Sequence, residues 1–196
     1  MKILFACLAY FVGAIPTGYI FFFLSEKKDI RGFGSRSTGA TNVLRLKGWH
    51  HAVPVMLLDI LKGFLPPFLA IEMLGDFNLA LLCAFLAVVG HCYPVFIRFR
   101  GGKGVATSVG AYLGVAPAPL LPALIIFVAV VAVTRYVSLG SLTSSLSLPL
   151  FALALGTPRE TVLFGFCLFV LISIRHRGNI KRLIAGSERK IGARSR

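Results

Sequence analysis

The chain has 196 residues, of which 57% are hydrophobic and only 14% are charged. This composition excludes an ordinary soluble globular protein and predicts an integral membrane protein with a single domain over residues 1–196. The net charge of +14 would suit nucleic acid, anionic lipid or an anionic substrate, and only the placement of the charges along the chain separates these partners.

Seven apolar segments, separated by polar linkers, predict an all-α polytopic helical bundle. A helix needs about 20 apolar residues to cross a bilayer core about 30 Å thick. The predicted helices in chain order are 3–24, 52–71, 77–97, a short helix that begins at Val105, 121–134, 138–155 and 161–174. Because several of these are short, five full spans with re-entrant or interfacial helices is the alternative to about seven transmembrane helices.

The basic residues predict how the bundle is oriented. With seven crossings, 18 of the 21 Lys and Arg residues fall on one face, in linkers 25–51 and 98–104, at Arg135 and in the tail 175–196. The positive-inside rule makes this face cytoplasmic, with the N-terminus outside and the C-terminus inside. Basic loops next to spans bind anionic membrane lipids, and no aromatic-rich motif typical of RNA binding accompanies them, so no nucleic acid partner is expected.

On this face, residues 99–107 read FRGGKGVAT, a loop typical of phosphate binding. Gly101 and Gly102 would let backbone amides approach an anion, Lys103 supplies a point charge, and the following helix directs its positive end at the loop. A nucleotide-binding P-loop requires Ser or Thr where Gly104 stands, and a dinucleotide fingerprint requires glycine where Thr107 stands, so both are excluded. The alternative is a flexible connector whose basic residues serve only to orient the protein in the membrane.

Two further polar clusters lie on the same predicted face. In chain order, the first cluster is residues 32–48, the glycine loop 99–107 is the second, and residues 175–190 are the third. Hydroxyl, amide and guanidinium groups among glycines suit a small polyol phosphate, although the same residues are ordinary in turns and helix caps. The candidates in the first of these clusters are Ser35, Thr41, Asn42 and Arg45. The candidates in the third cluster are His176, Asn179, Arg182 and Glu188. The spacing of this stretch predicts an amphipathic helix, for which a plain lipid anchor is the alternative.

Missing features narrow the chemistry. The basic face has only Glu26, Asp29 and Glu188 as carboxylates, too few for the two-metal sites that lipid kinases and phosphatidyltransferases need. No histidine is followed five positions later by Asp, which excludes the arrangement of thioester-using glycerolipid acyltransferases. We therefore predict chemistry without metal or cofactor. Within the spans, Asp59 and Lys62 are three residues apart and are predicted to pair or to face the bundle interior.

The three clusters together resemble the bacterial acyl-phosphate:glycerol-3-phosphate acyltransferases over most of the chain. GSRSTGATNVLR is similar to the family's GSxNxGATNVxR, GGKGVAT is identical to its second motif, and HRGNIKRLIAGSE is similar to HRxNIKRLxxGxE. Ser37 departs from the family, which usually has Asn there. The resemblance places functional roles on Ser35, Arg45, the loop from Gly101 through Lys103 to Gly104, His176, Asn179 and Glu188.

The resemblance implies acyl transfer from a fatty acyl phosphate to the sn-1 hydroxyl of glycerol 3-phosphate, at the cytoplasmic face of the bacterial inner membrane. Lys103 and the loop amides are expected to hold one phosphate and Arg45 the other, with Ser35 and Asn179 orienting the hydroxyl. Either His176 or a substrate phosphate oxygen would take the proton. The protein is expected to act as a monomer. A transporter or flippase for an anionic phosphorylated metabolite is the competing prediction, supported by the helix count and the Asp59–Lys62 pair.

Overall fold

The structure is a computed structural model that describes residues 1–192, so Arg194 and Arg196 of the predicted basic tail lie outside the described residues. Within residues 1–192 every regular element is a helix, which confirms the predicted all-α class. The chain divides into two compact units, Met1–Val115 and Ala116–Arg196. The single domain over the whole chain stays a prediction.

The first unit contains the first two polar clusters. Its helices are α1 (Lys2–Ala14), α2 (Thr17–Glu26), a 3₁₀ turn (Ile30–Gly32), α3 (Ala40–Lys47), α4 (Trp49–Leu74), α5 (Phe77–Cys92), a second 3₁₀ turn (Val95–Ile97) and α6 (Val105–Val115). The polar linker 25–51 therefore contains a 3₁₀ turn and the helix α3, which its sequence did not reveal, and the predicted span 77–97 ends in a separate 3₁₀ turn. The linker is polar because it carries the loops and caps between these short elements.

The first apolar segment is broken, although one helix over 3–24 was predicted. Pro16 lacks an N–H and restricts Ile15, which takes an extended ψ of 114°. The break separates α1 from α2 and leaves the Ile15 carbonyl without a helical donor. The Nζ of Lys62 donates to that carbonyl at 2.8 Å, so the break has a partner inside the bundle.

Glycines let the helices of the first unit approach closely. A Cβ built at Gly63 of α4 would overlap the carbonyl oxygen of Thr107 in α6, and one built at Gly110 of α6 would overlap that of Ile60 in α4. Gly13 of α1 is in the same position against α5. Small residues at contacts are how membrane helices gain dispersion energy when lipid is as apolar as their side chains.

The second unit contains the third polar cluster. Its helices are α7 (Leu120–Thr134), α8 (Val137–Ala154), α9 (Arg159–Arg175) and α10 (Arg177–Ile184). The axis bends by 66° between α9 and α10 at His176. The amphipathic helix predicted in the third cluster is confirmed as α10.

Helix length and composition support a membrane-embedded chain. Within the described residues, four helical segments are long and apolar enough to cross a membrane: Lys2–Glu26, Trp49–Leu74, Phe77–Ile97 and Val137–Ala154. The bent pair α9 and α10 would make a fifth, while α6 and α7 are shorter apolar helices. Each of the seven predicted apolar segments thus contains helix, and four or five of them meet the length for a full span.

Candidate active site

Asn42 builds the loop of the first polar cluster. Its side chain is 1% exposed. The Oδ1 atom accepts a hydrogen bond from the amide of Ser35 at 2.8 Å, and Nδ2 donates to the carbonyl oxygens of Ser37 at 2.8 Å and Phe33 at 3.2 Å. One buried amide therefore closes the turn over residues 33–37 and fixes where Ser35 lies. The structure gives Asn42 a loop-building role, whereas the sequence suggested direct substrate contact.

An apolar cluster supports this loop from below. Ile30, Val43 and Val55 are buried at 0–1% exposure and pack with Phe22 and Ala52. These residues come from the 3₁₀ turn and from α2, α3 and α4, so the loop lies on four packed elements. Burial of each large side chain contributes about 1.5–3 kcal/mol. The cluster therefore holds α3 rigidly.

The polar candidates of the first cluster lie at the edge of this support. Ser35, Thr41 and Arg45 are all half-buried. Thr41 and Arg45 belong to α3, while Ser35 lies on the turn that Asn42 closes. A rigid base with partly accessible polar groups is the arrangement expected of a substrate site.

Arg31, directly before the first cluster, is bonded to the turn that precedes the second cluster. Its Nη1 donates to the carbonyl oxygen of Ile97, in the 3₁₀ turn before the glycine loop, at 2.7 Å. The Asp29 carboxylate pairs with the same guanidinium at 2.7 Å, and the hydrogen bonds from Arg31 lower the pKa of Asp29. In the sequence, Arg31 is only one of several basic residues that indicate the membrane orientation. Its partner is 66 residues away, which no local pattern reveals.

The glycine loop folds back over the end of α5. The amides of Phe99, Gly101 and Gly102 donate to the carbonyl oxygens of Pro94, Cys92 and His91 at 2.9, 3.3 and 3.0 Å. These bonds satisfy carbonyls that the end of a helix leaves exposed. The amides of Gly101 and Gly102 are thus engaged within the protein, and anion binding by the backbone falls to the residues that follow.

Close packing explains why this loop needs glycine. A Cβ at Gly101 would overlap the carbonyl oxygen of His91 and the Pro94 ring, and a Cβ at Gly102 would overlap Nε2 of the His91 ring. Gly104 has a φ of +87°, which favours glycine. The sequence predicted glycines for approach to a phosphate, and the structure shows two of them approaching α5.

The start of α6 offers further polar groups beside Lys103, which is half-buried. Thr107 and Ser108 are 0% and 2% exposed, and their hydroxyl oxygens have no hydrogen-bond partner within the described part of the chain. Buried hydroxyls are normally paired. Together with the positive end of the α6 dipole, these hydroxyls make the first turn of α6 suitable for a polar, anionic ligand. Sequence reasoning assigned neither residue a role.

A buried charged network lies next to the loop. The Asp59 carboxylate, 1% exposed, is held by Oδ1 contacts to Nζ of Lys62 at 2.7 Å, to Oγ1 of Thr17 at 2.5 Å and to Nδ1 of His91 at 3.4 Å. The predicted pairing of Asp59 with Lys62 is confirmed. The connection of Asp59 to His91 was not predicted from the sequence.

His176 lies at the junction of α9 and α10 in the second unit. Its ring is 2% exposed, and Nδ1 lies 2.9 Å from the carbonyl oxygen of Ile172. A carbonyl only accepts, so Nδ1 carries a hydrogen, and the lone pair of the uncharged form of the ring is on Nε2. A backbone carbonyl here orients the imidazole, a task that a carboxylate performs in catalytic triads.

Glu188 fastens the chain after α10. Its carboxylate accepts from Nδ2 of Asn179 at 2.6 Å, Oγ of Ser138 at 2.9 Å and Nε of Arg182 at 2.7 Å. Burial raises the pKa of Glu188, but these hydrogen bonds outweigh the effect and hold the pKa below its ordinary value. The ion pair with Arg182 also orders a side chain predicted to bind substrate.

Within the first unit, the bond from Arg31 to Ile97 connects the residue before the first cluster with the turn before the second cluster. The third cluster forms its own network in the second unit, in which Asn179 and Glu188 are bonded directly. The convergence of all three clusters on one face stays a prediction, as do the individual substrate contacts.

Comparison with known proteins gives matches along nearly the whole chain. The profile of the family described as "Glycerol-3-phosphate acyltransferase" matches residues 3–186. A protein of that name from Syntrophomonas wolfei subsp. wolfei is 46% identical over 184 residues, which is 94% of each chain. Another from Thermoanaerobacter sp. (strain X514) is 42% identical over 193 residues, covering 98% of this chain and 97% of the relative.

Two solved structures share the fold. Both are crystal structures of PlsY (YgiH), described as an integral membrane glycerol 3-phosphate acyltransferase. Its glycerol 3-phosphate form has a TM-score of 0.93 at 38% identity, covering 97% of this chain and 96% of the other. Its lysophosphatidic acid form has a TM-score of 0.88 at 36% identity, covering 97% and 95%.

Proposed function

The chain belongs to the glycerol-3-phosphate acyltransferase family, and we propose that it moves a fatty acyl group from an acyl phosphate to the sn-1 hydroxyl of glycerol 3-phosphate. The products are 1-acylglycerol 3-phosphate and inorganic phosphate, in the first acylation of phospholipid biosynthesis. One observation carries the proposal: the family match over residues 3–186 contains the first two polar clusters and the third as far as Gly186. The donor is inferred from the motif resemblance and from the missing His-x4-Asp arrangement.

The proposed reaction forms one ester bond and breaks one anhydride bond. The glycerol 3-phosphate hydroxyl oxygen attacks the acyl carbonyl carbon, and the bond from that carbon to the phosphate oxygen breaks. The leaving phosphate takes the electron pair of the broken bond. Because a mixed anhydride has a good leaving group, positioning and charge stabilisation suffice for catalysis.

Two groups are proposed to hold the substrate phosphates. Lys103 and the first turn of α6 hold one phosphate, which we assign to the acyl phosphate, with glycerol 3-phosphate as the second possibility. Arg45 holds the other through its planar guanidinium, which suits bidentate contact with phosphate oxygens. The buried hydroxyls of Thr107 and Ser108 support an anion at the start of α6.

Ser35 and Asn179 are proposed to orient the attacking hydroxyl, whose proton goes to Nε2 of His176 or to a substrate phosphate oxygen. The hydrogen bond from Nδ1 of His176 to Ile172 supports the first acceptor, because it fixes the ring and its tautomer. The glycines of the loop act by packing, and Glu188 acts by holding Asn179.

The membrane topology is part of the same proposal. We place seven spans in the bacterial inner membrane, with the N-terminus outside, the C-terminus cytoplasmic and the active site on the cytoplasmic face. The correspondence of the helices with the seven predicted apolar segments supports the count. With seven spans, 18 of the 21 basic residues fall on one face, which supports the orientation.

The proposal is tested with purified full-length protein in detergent, given glycerol 3-phosphate and palmitoyl phosphate in the presence of EDTA. We expect release of phosphate and formation of lysophosphatidate in equal amounts, without ATP or acyl-CoA. Turnover with palmitoyl-CoA alone would contradict the proposed donor. Absence of turnover with either donor, together with uptake of glycerol 3-phosphate into vesicles, would favour the transporter.

A further inference from the structure

We propose that Asp59 and His91 are positioning residues for the glycine loop 101–104: Asp59 fixes the imidazole of His91, and His91 fixes the backbone of Gly102. This inference rests on the proposed function, because it assigns the loop a substrate phosphate. Neither residue is part of the three motif clusters, and the proposed chemistry uses neither.

Asp59 is the centre of the network. Its buried Oδ1 atom contacts side chains from three helices, namely Thr17 of α2, Lys62 of α4 and His91 of α5. Lys62 also donates to the Ile15 carbonyl at the break between α1 and α2. The carboxylate position is therefore determined by three helices and by the break between α1 and α2, which together form a rigid base.

His91 connects this base to the loop at two points. Its carbonyl oxygen accepts from the Gly102 amide at 3.0 Å, and its ring lies so close to Gly102 that any Cβ there would overlap Nε2. The opposite ring nitrogen, Nδ1, faces Asp59 at 3.4 Å. The imidazole thus lies between the buried carboxylate and the residue that precedes Lys103.

The charge of the network indicates more than helix packing. Taking two charges out of water costs several kcal/mol per ion, and apolar residues of similar volume often stabilise a protein equally well. Ionisable groups inside membrane proteins are rare and mark functional sites. Because this network ends at the glycine loop, fixing the loop is the function that its contacts support.

A double-mutant cycle tests the contact between ring and loop. We expect Gly102→Ala to raise the KM for one phosphorylated substrate at least about tenfold, a loss of about 1.4 kcal/mol in transition-state stabilisation if kcat holds. His91→Ala removes the overlapping ring, so His91→Ala/Gly102→Ala should be no worse than His91→Ala alone within about threefold. Such non-additivity is expected of coupled residues and not of distant, independent ones.

Gly101→Ala is the matched control. Its Cβ would overlap the His91 carbonyl oxygen and Pro94, neither of which His91→Ala removes. The double variant His91→Ala/Gly101→Ala should therefore combine both losses. Equal behaviour of the two glycine positions would overturn the inference.

His91→Gln provides the readout that a purely structural role would not move. It removes the ring but keeps a polar side chain, and we expect the KM of the substrate held by the loop to rise while kcat and the other KM change by less than about threefold. Unchanged KM values, or parallel loss of kcat and melting temperature, would overturn positioning. Absence of turnover in the unmodified enzyme would contradict the proposed function instead. In that case the melting temperatures of the same variants show whether the His91 ring and Gly102 are coupled.

Discussion

Asn42 and Gly102 are single residues whose first task is to shape a loop. The Asn42 amide binds three backbone groups of the turn that presents Ser35, and Gly102 leaves room for the His91 ring. Residues in motifs of this kind can be essential without touching substrate, because they hold those that do. The first unit's residues proposed to contact substrate directly, Ser35, Arg45 and Lys103, are half-buried.

His176→Gln separates two roles for the histidine. Removal of a general base costs about 10²–10⁴-fold in rate, so we expect kcat to fall at least about 100-fold with a small change in KM. The pH–rate profile of the variant should lack the limb that reports the imidazole in the wild type. Retained kcat with a raised KM would instead assign the proton to a substrate phosphate oxygen and leave His176 a binding role.

At the scale of helices, the sequence predicted much of the fold, because apolar runs determine where helices lie. The break between α1 and α2 was missed, since the run over 3–24 is continuous apart from Pro16. The helix α3 was missed because polar loops and short polar helices have similar compositions. Its place depends on packing with α2 and α4, which local pattern does not encode.

The site was predictable by residue type and not by partner. Motif spacing identified Ser35, Arg45, Lys103 and His176 as candidates. It could not pair Thr17 with Asp59, which lie 42 residues apart, or join Arg31 to Ile97. Such contacts follow from helix packing over the whole unit.

Loss of the Glu188 carboxylate should loosen α10, because the carboxylate binds Asn179 and Arg182 of that helix. Hydrogen bonds to charged groups contribute about 1.5–3 kcal/mol each, so we expect Glu188→Gln to speed amide hydrogen exchange in α10 at neutral pH. Since folding lowers the pKa of Glu188 below its ordinary 4.5, its stabilisation is complete above that value and disappears as pH falls through the lower folded pKa.

Hydrogen exchange in the wild type, corrected for intrinsic rates, should therefore accelerate in α10 only below about pH 4.5. Glu160→Gln, at an exposed position in the first turn of α9, is the control and should change neither rate. Unaltered exchange in Glu188→Gln would show that the carboxylate does not hold this segment.

At the scale of the whole molecule, the topology is testable by cysteine labelling. The background replaces the four native cysteines with alanine. With seven spans, a membrane-impermeant maleimide should label Ala118→Cys, between α6 and α7, from outside intact cells. Ser187→Cys, in the basic tail, should react only after permeabilisation. An Ala118→Cys variant that stays unlabelled from outside would favour five spans with re-entrant α6 and α7.

The proposed acyl transfer breaks the carbon–oxygen bond of an acyl phosphate. It is tested most directly with palmitoyl phosphate carrying ¹⁸O in the bridging oxygen, glycerol 3-phosphate and the purified protein, followed by mass spectrometry of the products. We predict that the label leaves entirely in inorganic phosphate and that lysophosphatidate is unlabelled. Label in free palmitate would show attack at phosphorus and contradict acyl transfer.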